Sequence, residues 1–370
     1  MSKYAFLFLI FLPLLAFSSE EVDVDGLFKE ADNYRNQNLK SFNEKIKELA
    51  GFSERFDANQ KNFYSLLKSY QDIHKGDFSS AKTRLNDIII HPSASGLIKF
   101  RANYALLTVH SINSEWVLGL NQIEKILALA DDISNEEHYQ SALVVIGVFY
   151  AELKQYPLVL KYMERLTQRE LSPKMKCFVN QLTLESRITE DISTNETTLI
   201  DLEFQDSVSA CETAQSMVGA TIIKFHYARF YLKSMQPEKA ISILLPYVSS
   251  LDDPINSFLS TDIYNLLAKS YYQLETFDKS KLYATKALEK ITNTDTEQAV
   301  DTYQLLYLNA KREKDFRSAL DYYERYAESN RNVNNDLEAK SLAYEKAKHQ
   351  SIQQQNEIRL LNNQNELLNN

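Results

Sequence analysis

The residues able to do chemistry are few and scattered. Six histidines stand at His74, His91, His110, His138, His226 and His349, and none follows another at three or four residues. A hydrolytic or metal site needs a base beside a nucleophile, or clustered ligands. This spacing therefore predicts no catalytic residue and no metal. The chain holds no GxGxxG or GxxxxGK[ST] phosphate loop, no HExxH helix and no GxSxG elbow. Val22 to Gly26 reads VDVDG, like the opening of a calcium loop, but the remaining ligands and the closing Glu are missing. No cofactor and no enzyme activity are expected. That leaves Cys177 and Cys211, and whatever side chains a repetitive architecture would array on one face.

The composition says what arrays them. Among 370 residues there are 7 Gly and 7 Pro, against 22 Tyr and 19 Phe. So little punctuation argues against a β-sandwich or an α/β enzyme with phosphate loops, and favours stacked helices. The net charge is −9 with acids and bases interspersed, so the basic footprint of a nucleic-acid binder is absent.

Residues 1–18 read as a secretory signal. Lys3 precedes an apolar run from Tyr4 to Phe17, broken by Pro13, with Ala16 and Ser18 placed for cleavage before Ser19. The run is short of the ~20 residues a bilayer span needs. The alternative is an uncleaved anchor, which would tie the protein to a membrane. Export places the two cysteines in an oxidising compartment, most simply a bacterial periplasm.

The stretch Tyr264 to Lys290 shows the repeating unit. Tyr264, Leu267, Ala268 and Tyr271 mark one face of a first helix; Ser280, Ala284 and Ala287 mark a second. Phe78, Trp116 and Tyr156 occupy one phase of this pattern, 38 and 40 residues apart, and Pro237, Phe277 and Phe316 resume it at 40 and 39. A degenerate copy spans roughly Cys177 to Gln215. Seven hairpins are expected between Gln60 and Asn330, in an all-α right-handed solenoid. Residues 19–59 are expected to form an N-terminal cap, from Leu27, Phe28, Ala31, Phe42, Ile46 and Leu49. Cys177 falls near the start and Cys211 near the end of the degenerate hairpin, where a disulfide would staple it; two buried thiols are the alternative.

The pattern resembles the tetratricopeptide repeat. Small residues recur where two helices must approach, and large ones between them, best in Leu143–Leu166, Tyr264–Ala287 and Tyr303–Tyr326. Spacing near ~40 residues rather than ~34 implies longer units of the kind found in some bacterial regulators. In that family the first helices line a concave groove that binds proteins or peptides. The resemblance implies groove residues Leu66, Tyr70 and Ile73 in the first unit, and Val144 and Val148 in the third. It further implies Arg229 in the fifth, Asn265, Lys269 and Tyr272 in the sixth, and Gln304 and Lys311 in the seventh. The cationic and amide part would hold a carboxylate or acidic peptide; a solvated face is the other reading.

Residues 331–370 are polar and free of Gly and Pro, with Leu337, Tyr344, Ala347, Ile358, Leu361 and Leu368 at three- and four-residue steps. A long helix continuing from the last hairpin is expected, either pairing as a coiled coil that dimerises the protein or standing alone. Glu357 to Leu367 is similar to the helix that joins the repeats to a membrane span in exported tetratricopeptide signalling proteins, whose output is a diguanylate cyclase or histidine kinase. No span or output domain follows in this chain, so such an output is expected elsewhere. Two functions remain: a binding scaffold, or a sensory input region.

Overall fold

A computed structural model describes residues 23–35, 38–189, 197–251 and 257–369. The segment read as a signal lies outside these residues. The chain is an α-solenoid of helical hairpins. A short pair, α1 (Val24–Tyr34) and α2 (Leu39–Ala50), opens it. Then come α3 (Ala58–His74) with α4 (Phe78–Ile90), α5 (Gly96–Ile112) with α6 (Trp116–Ala130), and α7 (Glu136–Glu152) with α8 (Tyr156–Thr167). These are followed by α9 (Pro173–Thr189) with α10 (Thr197–Thr213), α11 (Met217–Lys233) with α12 (Pro237–Leu244), α13 (Ser260–Gln273) with α14 (Phe277–Lys290), and α15 (Glu297–Arg312) with α16 (Phe316–Asn369). The helix starts at Phe78, Trp116, Tyr156, Pro237, Phe277 and Phe316 are the in-phase positions of the sequence pattern.

One turn design is used seven times. A residue with positive φ ends the first helix at Gly76, Ser114, Lys154, Met235, Glu275 and Lys314, and Gln215 ends α10 in the same way. The next N–H reaches five residues back, as in Thr276 N–H to the Tyr271 carbonyl (2.9 Å) and Gln155 N–H to the Tyr150 carbonyl (2.9 Å). This closes the orphan carbonyls of the helix end and sends the chain straight back. Only Gly76 takes the left-handed conformation without a Cβ; the other six are held there by the packing of the helices they join.

The degenerate unit departs from this scheme. The left-handed turn at Gln215 follows α10 instead of preceding it. The Cys177–Cys211 disulfide (S–S 2.02 Å, Cα–Cα 4.7 Å) joins α9 to α10. Gly219 on α11 makes room for it: a Cβ there would lie 2.6 Å from the Cys177 sulfur. In the fifth hairpin α12 tightens into a 3₁₀ turn over Leu245–Ser250, because Pro246 has no N–H to continue an α-helix.

Small residues set the packing elsewhere. Ala81, Ala228, Ala240, Ala268, Ala284 and Ala287 are completely buried, and a Cβ on Gly119 would collide with the Phe149 ring. Close approach lets each hairpin bury its apolar face on the next. The core runs as three clusters that share helices: α1 to α5, α5 to α9, and α9 to α15. Leu27, Phe28, Ala31, Phe42, Ile46 and Leu49 of the first pair are all buried in the first cluster.

The superhelix returns on itself. Lys154 Nζ, from the turn of the third hairpin, meets Glu297 of α15 at 3.1 Å. The 54-residue α16 leaves the last hairpin and reaches the second and third. Its Lys340 ammonium stands 5.1 Å above the Trp116 ring, and Ala343 and Tyr344 pack on the α5–α9 cluster. Part of the expected coiled-coil seam is thus used inside the chain: Tyr344 packs on the solenoid and Ala347 is buried. Ile358, Leu361 and Leu368 fall where only the helical backbone is described. Among the described residues no helix is long and apolar enough to cross a membrane.

Candidate functional site

The returning superhelix encloses a cavity of about 680 Å³. First helices α9, α11, α13 and α15 supply most of its wall, the α7–α8 turn supplies Lys154 and Tyr156, and α16 contributes Leu337. Its volume falls in the range of small-ligand sites, ~300–1,000 Å³. It adjoins a depression of about 350 Å³ beyond Arg229 and Lys269.

The wall is strongly charged. Lys269 Nζ pairs with Asp301 at 2.6 Å, and Lys154 with Glu297. Burial opposes the Lys154 charge, but Glu297 outweighs it and the ammonium is held on. Asp262 has no such partner. Burial pushes its carboxyl up to about 6, although Gln298 donates to it (3.3 Å) and Arg229 faces it. Burial likewise raises Glu185, against Arg229 and Lys154. His226 is 4% exposed. Burial, then Arg229, presses it down to about 3, so it stands neutral with its Nε2 4.0 Å from Glu185.

Of the groove residues implied by the sequence, three reach this cavity: Arg229, Asn265 and Lys269. Asn265 is only 3% exposed, and its amide is spent on α15, donating to the Gln298 carbonyl (2.9 Å) and accepting from Thr302 (2.8 Å). Tyr272 packs edge-on against Phe277 at 5.4 Å. Gln304 is exposed. Lys311 is exposed too, with its ammonium over the Tyr307 ring at 5.6 Å. None of these three lines the cavity. Val148 lines a separate cavity of about 470 Å³ with Trp116, Val145 and Lys340. Val144 packs on the α5–α9 core. Leu66 is fully buried and Tyr70 lies under the Arg35 guanidinium (4.4 Å), so both belong to the interior; Ile73 packs beside them. Arg229, Asn265 and Lys269 do not make a simply cationic groove: carboxylates outnumber cations along the wall.

The overlooked groups carried a signal. The second position of each repeat faces the same groove as the fifth and ninth, and it is filled by Ile222, Asp262 and Asp301, all of which line the cavity. Glu185 carried none, because its hairpin lacks the small-residue pattern. His226 sits off the groove positions. Among the described residues, no group of His, Cys, Asp and Glu is arranged to hold a metal ion.

No protein-family model matches this chain, and no curated protein does. Solved structures do. NprR in complex with its cognate peptide NprX superposes with a TM-score of 0.55 at 16% identity, over 90% of this chain and 88% of that one. A Rap protein complexed with competence and sporulation factor gives 0.54 at 12%, over 85% and 99%. A signal-transduction ATPase with a tetratricopeptide repeat sensor, from Pyrococcus horikoshii, gives 0.60 at 12%, over 87% of this chain and 50% of that one. At these identities the likeness establishes the fold, a tetratricopeptide-like helical solenoid.

Proposed function

We propose that this chain is an exported, non-enzymatic scaffold that binds a protein segment or short peptide in the cavity between α9, α11, α13, α15 and α16. The observation that carries the reading is the cavity itself, enclosed by first helices and walled by charged and polar side chains. NprR and the Rap protein, whose folds this chain shares, are seen with NprX and with competence and sporulation factor. The leader-like run from Tyr4 to Phe17 and the Cys177–Cys211 disulfide support an oxidising, periplasmic setting. The test is equilibrium retention of a randomised peptide mixture by the whole chain. Thr189→Trp, at an exposed position on the cavity wall, should abolish retention while leaving the helical circular dichroism unchanged. Retention that survives this variant, or none by the native chain, would sink the reading.

A second reading, the input region of a membrane signalling protein of the diguanylate cyclase or histidine kinase type, is favoured by one contact. Leu337 of α16 lines the cavity, and α16 continues as one helix to Asn369. An occupant would therefore touch the element that leaves the solenoid. Trp116 is the only tryptophan and lies under Lys340 of the same helix. Its emission should change when the cavity fills; constant emission at saturation would count against this reading.

A further inference from the structure

We propose that the cavity seats a cationic group of its ligand, a lysine or arginine side chain or the free N-terminal ammonium of a short peptide, between Glu185 and Asp262. This deepens the peptide-binding reading and rests on it. Charge pairing carries the inference. Lys154 is engaged by Glu297 at 3.1 Å, and Lys269 by Asp301 at 2.6 Å. What remains on the wall is one guanidinium, Arg229, facing two carboxylates, Glu185 and Asp262. Among the described residues Arg229 lies within ion-pair distance of neither; its guanidinium stands over the Phe225 ring, 5.8 Å away. His226 Nε2 stands 4.0 Å from Glu185, and burial keeps that imidazole neutral.

One negative charge is therefore uncompensated beside an open volume of about 680 Å³. Holding a desolvated carboxylate without a partner is costly. A ligand ammonium or guanidinium entering that volume would remove the cost and gain charge-assisted hydrogen bonds. An acidic ligand would instead bring a further anion beside four carboxylates: Glu185, Asp262, Glu297 and Asp301. Arg229 is left for a carbonyl or carboxylate elsewhere on the same ligand, so a peptide can satisfy both signs.

The site should respond to pH through Asp262. The charged and titratable groups about it are Arg229 and His226 from α11, Glu185 from α9, Glu297 and Asp301 from α15, Lys269 on its own helix and Lys154 from the α7–α8 turn. With its carboxyl raised to about 6, Asp262 takes up a proton as the solution is acidified below that value. A cationic ligand then loses one of its two partners.

The experiment is the randomised peptide mixture on the native chain at pH 7.5 and pH 5, with retained peptides sequenced by mass spectrometry. Lysine and arginine should be enriched over glutamate and aspartate by about tenfold at pH 7.5, the scale of one charge-assisted hydrogen bond. The enrichment should shrink at pH 5 and vanish in Glu185→Gln/Asp262→Asn, whose near-isosteric neutral groups leave the packing in place. Peptides retained without a cationic preference, or with an acidic one, would overturn this proposal and leave the peptide-binding reading standing. No retention by the native chain would overturn both. The pH arm needs no variant, so it decides the question even if the double substitution fails to fold.

Discussion

Two clusters of buried charge sit at opposite ends of the solenoid, and they have been resolved differently. Near the N-terminus Arg101, 3% exposed, grips Asp32 with both terminal nitrogens at 2.8 and 2.6 Å, and Arg35 joins at 3.2 Å. Burial works to raise the Asp32 carboxyl, but Arg101 and then Arg35 overcome it, and its pKa is lowered. In that cluster the opposite charges meet directly and tie α1 to α5. Toward the C-terminus Glu185, Asp262 and Arg229 face one another across open volume, and burial prevails in both carboxyls. The same residue types thus make a structural bond where helices pack directly, and line a cavity where the returning superhelix holds them apart.

The comparison can be broken most forcefully at Arg101. Arg101→Met leaves Asp32 with Arg35 alone and should cost about 3–5 kcal/mol in urea unfolding, the usual penalty for stranding one partner of a buried pair. An effect below ~1 kcal/mol would mean the N-terminal cluster is not paired as described. Reducing the Cys177–Cys211 bond should lower stability by up to about 4 kcal/mol, from the 34-residue separation it spans. This is measured by unfolding with and without reductant.

Asp262→Asn should act in the opposite direction. The folded pKa of Asp262, about 6, lies above its ordinary value of 3.8. Its favourable contribution is therefore present below the ordinary value and is lost as the pH rises through 6. The variant should be more stable than the native chain by ~2 kcal/mol at pH 7.5 and equal to it near pH 4. Asp32, with its pKa lowered, has the reverse dependence: its contribution is present at neutral pH and lost on acidification. Finally, Lys340→Ala removes the ammonium above Trp116 and should cost only ~0.5–1 kcal/mol. A shift in Trp116 emission would report that α16 has loosened at the second hairpin.

Much of this could be read from the residues. Seven hairpins, their phase at Phe78, Trp116, Tyr156, Pro237, Phe277 and Phe316, the N-terminal pair and a long helix running on from the last hairpin all follow from local periodicity. Small and aromatic residues on a helical face leave a hairpin little choice but to stack. The groove positions were legible only in part, because a repeat rule assigns a face without saying which partners lie opposite. Asn265 and Lys269 are on the expected face, yet one is spent on Thr302 and Gln298 and the other on Asp301.

What the sequence alone determined is therefore everything governed by neighbours along the chain: helix, turn and stacking order. What the tertiary structure decided is everything governed by the accumulated superhelical rotation. That rotation brings Glu297 to Lys154, lays α16 on Trp116 and Tyr344 on the α5–α9 core, and gathers Glu185, Asp262 and Arg229 around one cavity. A small rotation per hairpin leaves no mark on any single repeat, and its sum over five of them sets which charges meet and which remain apart.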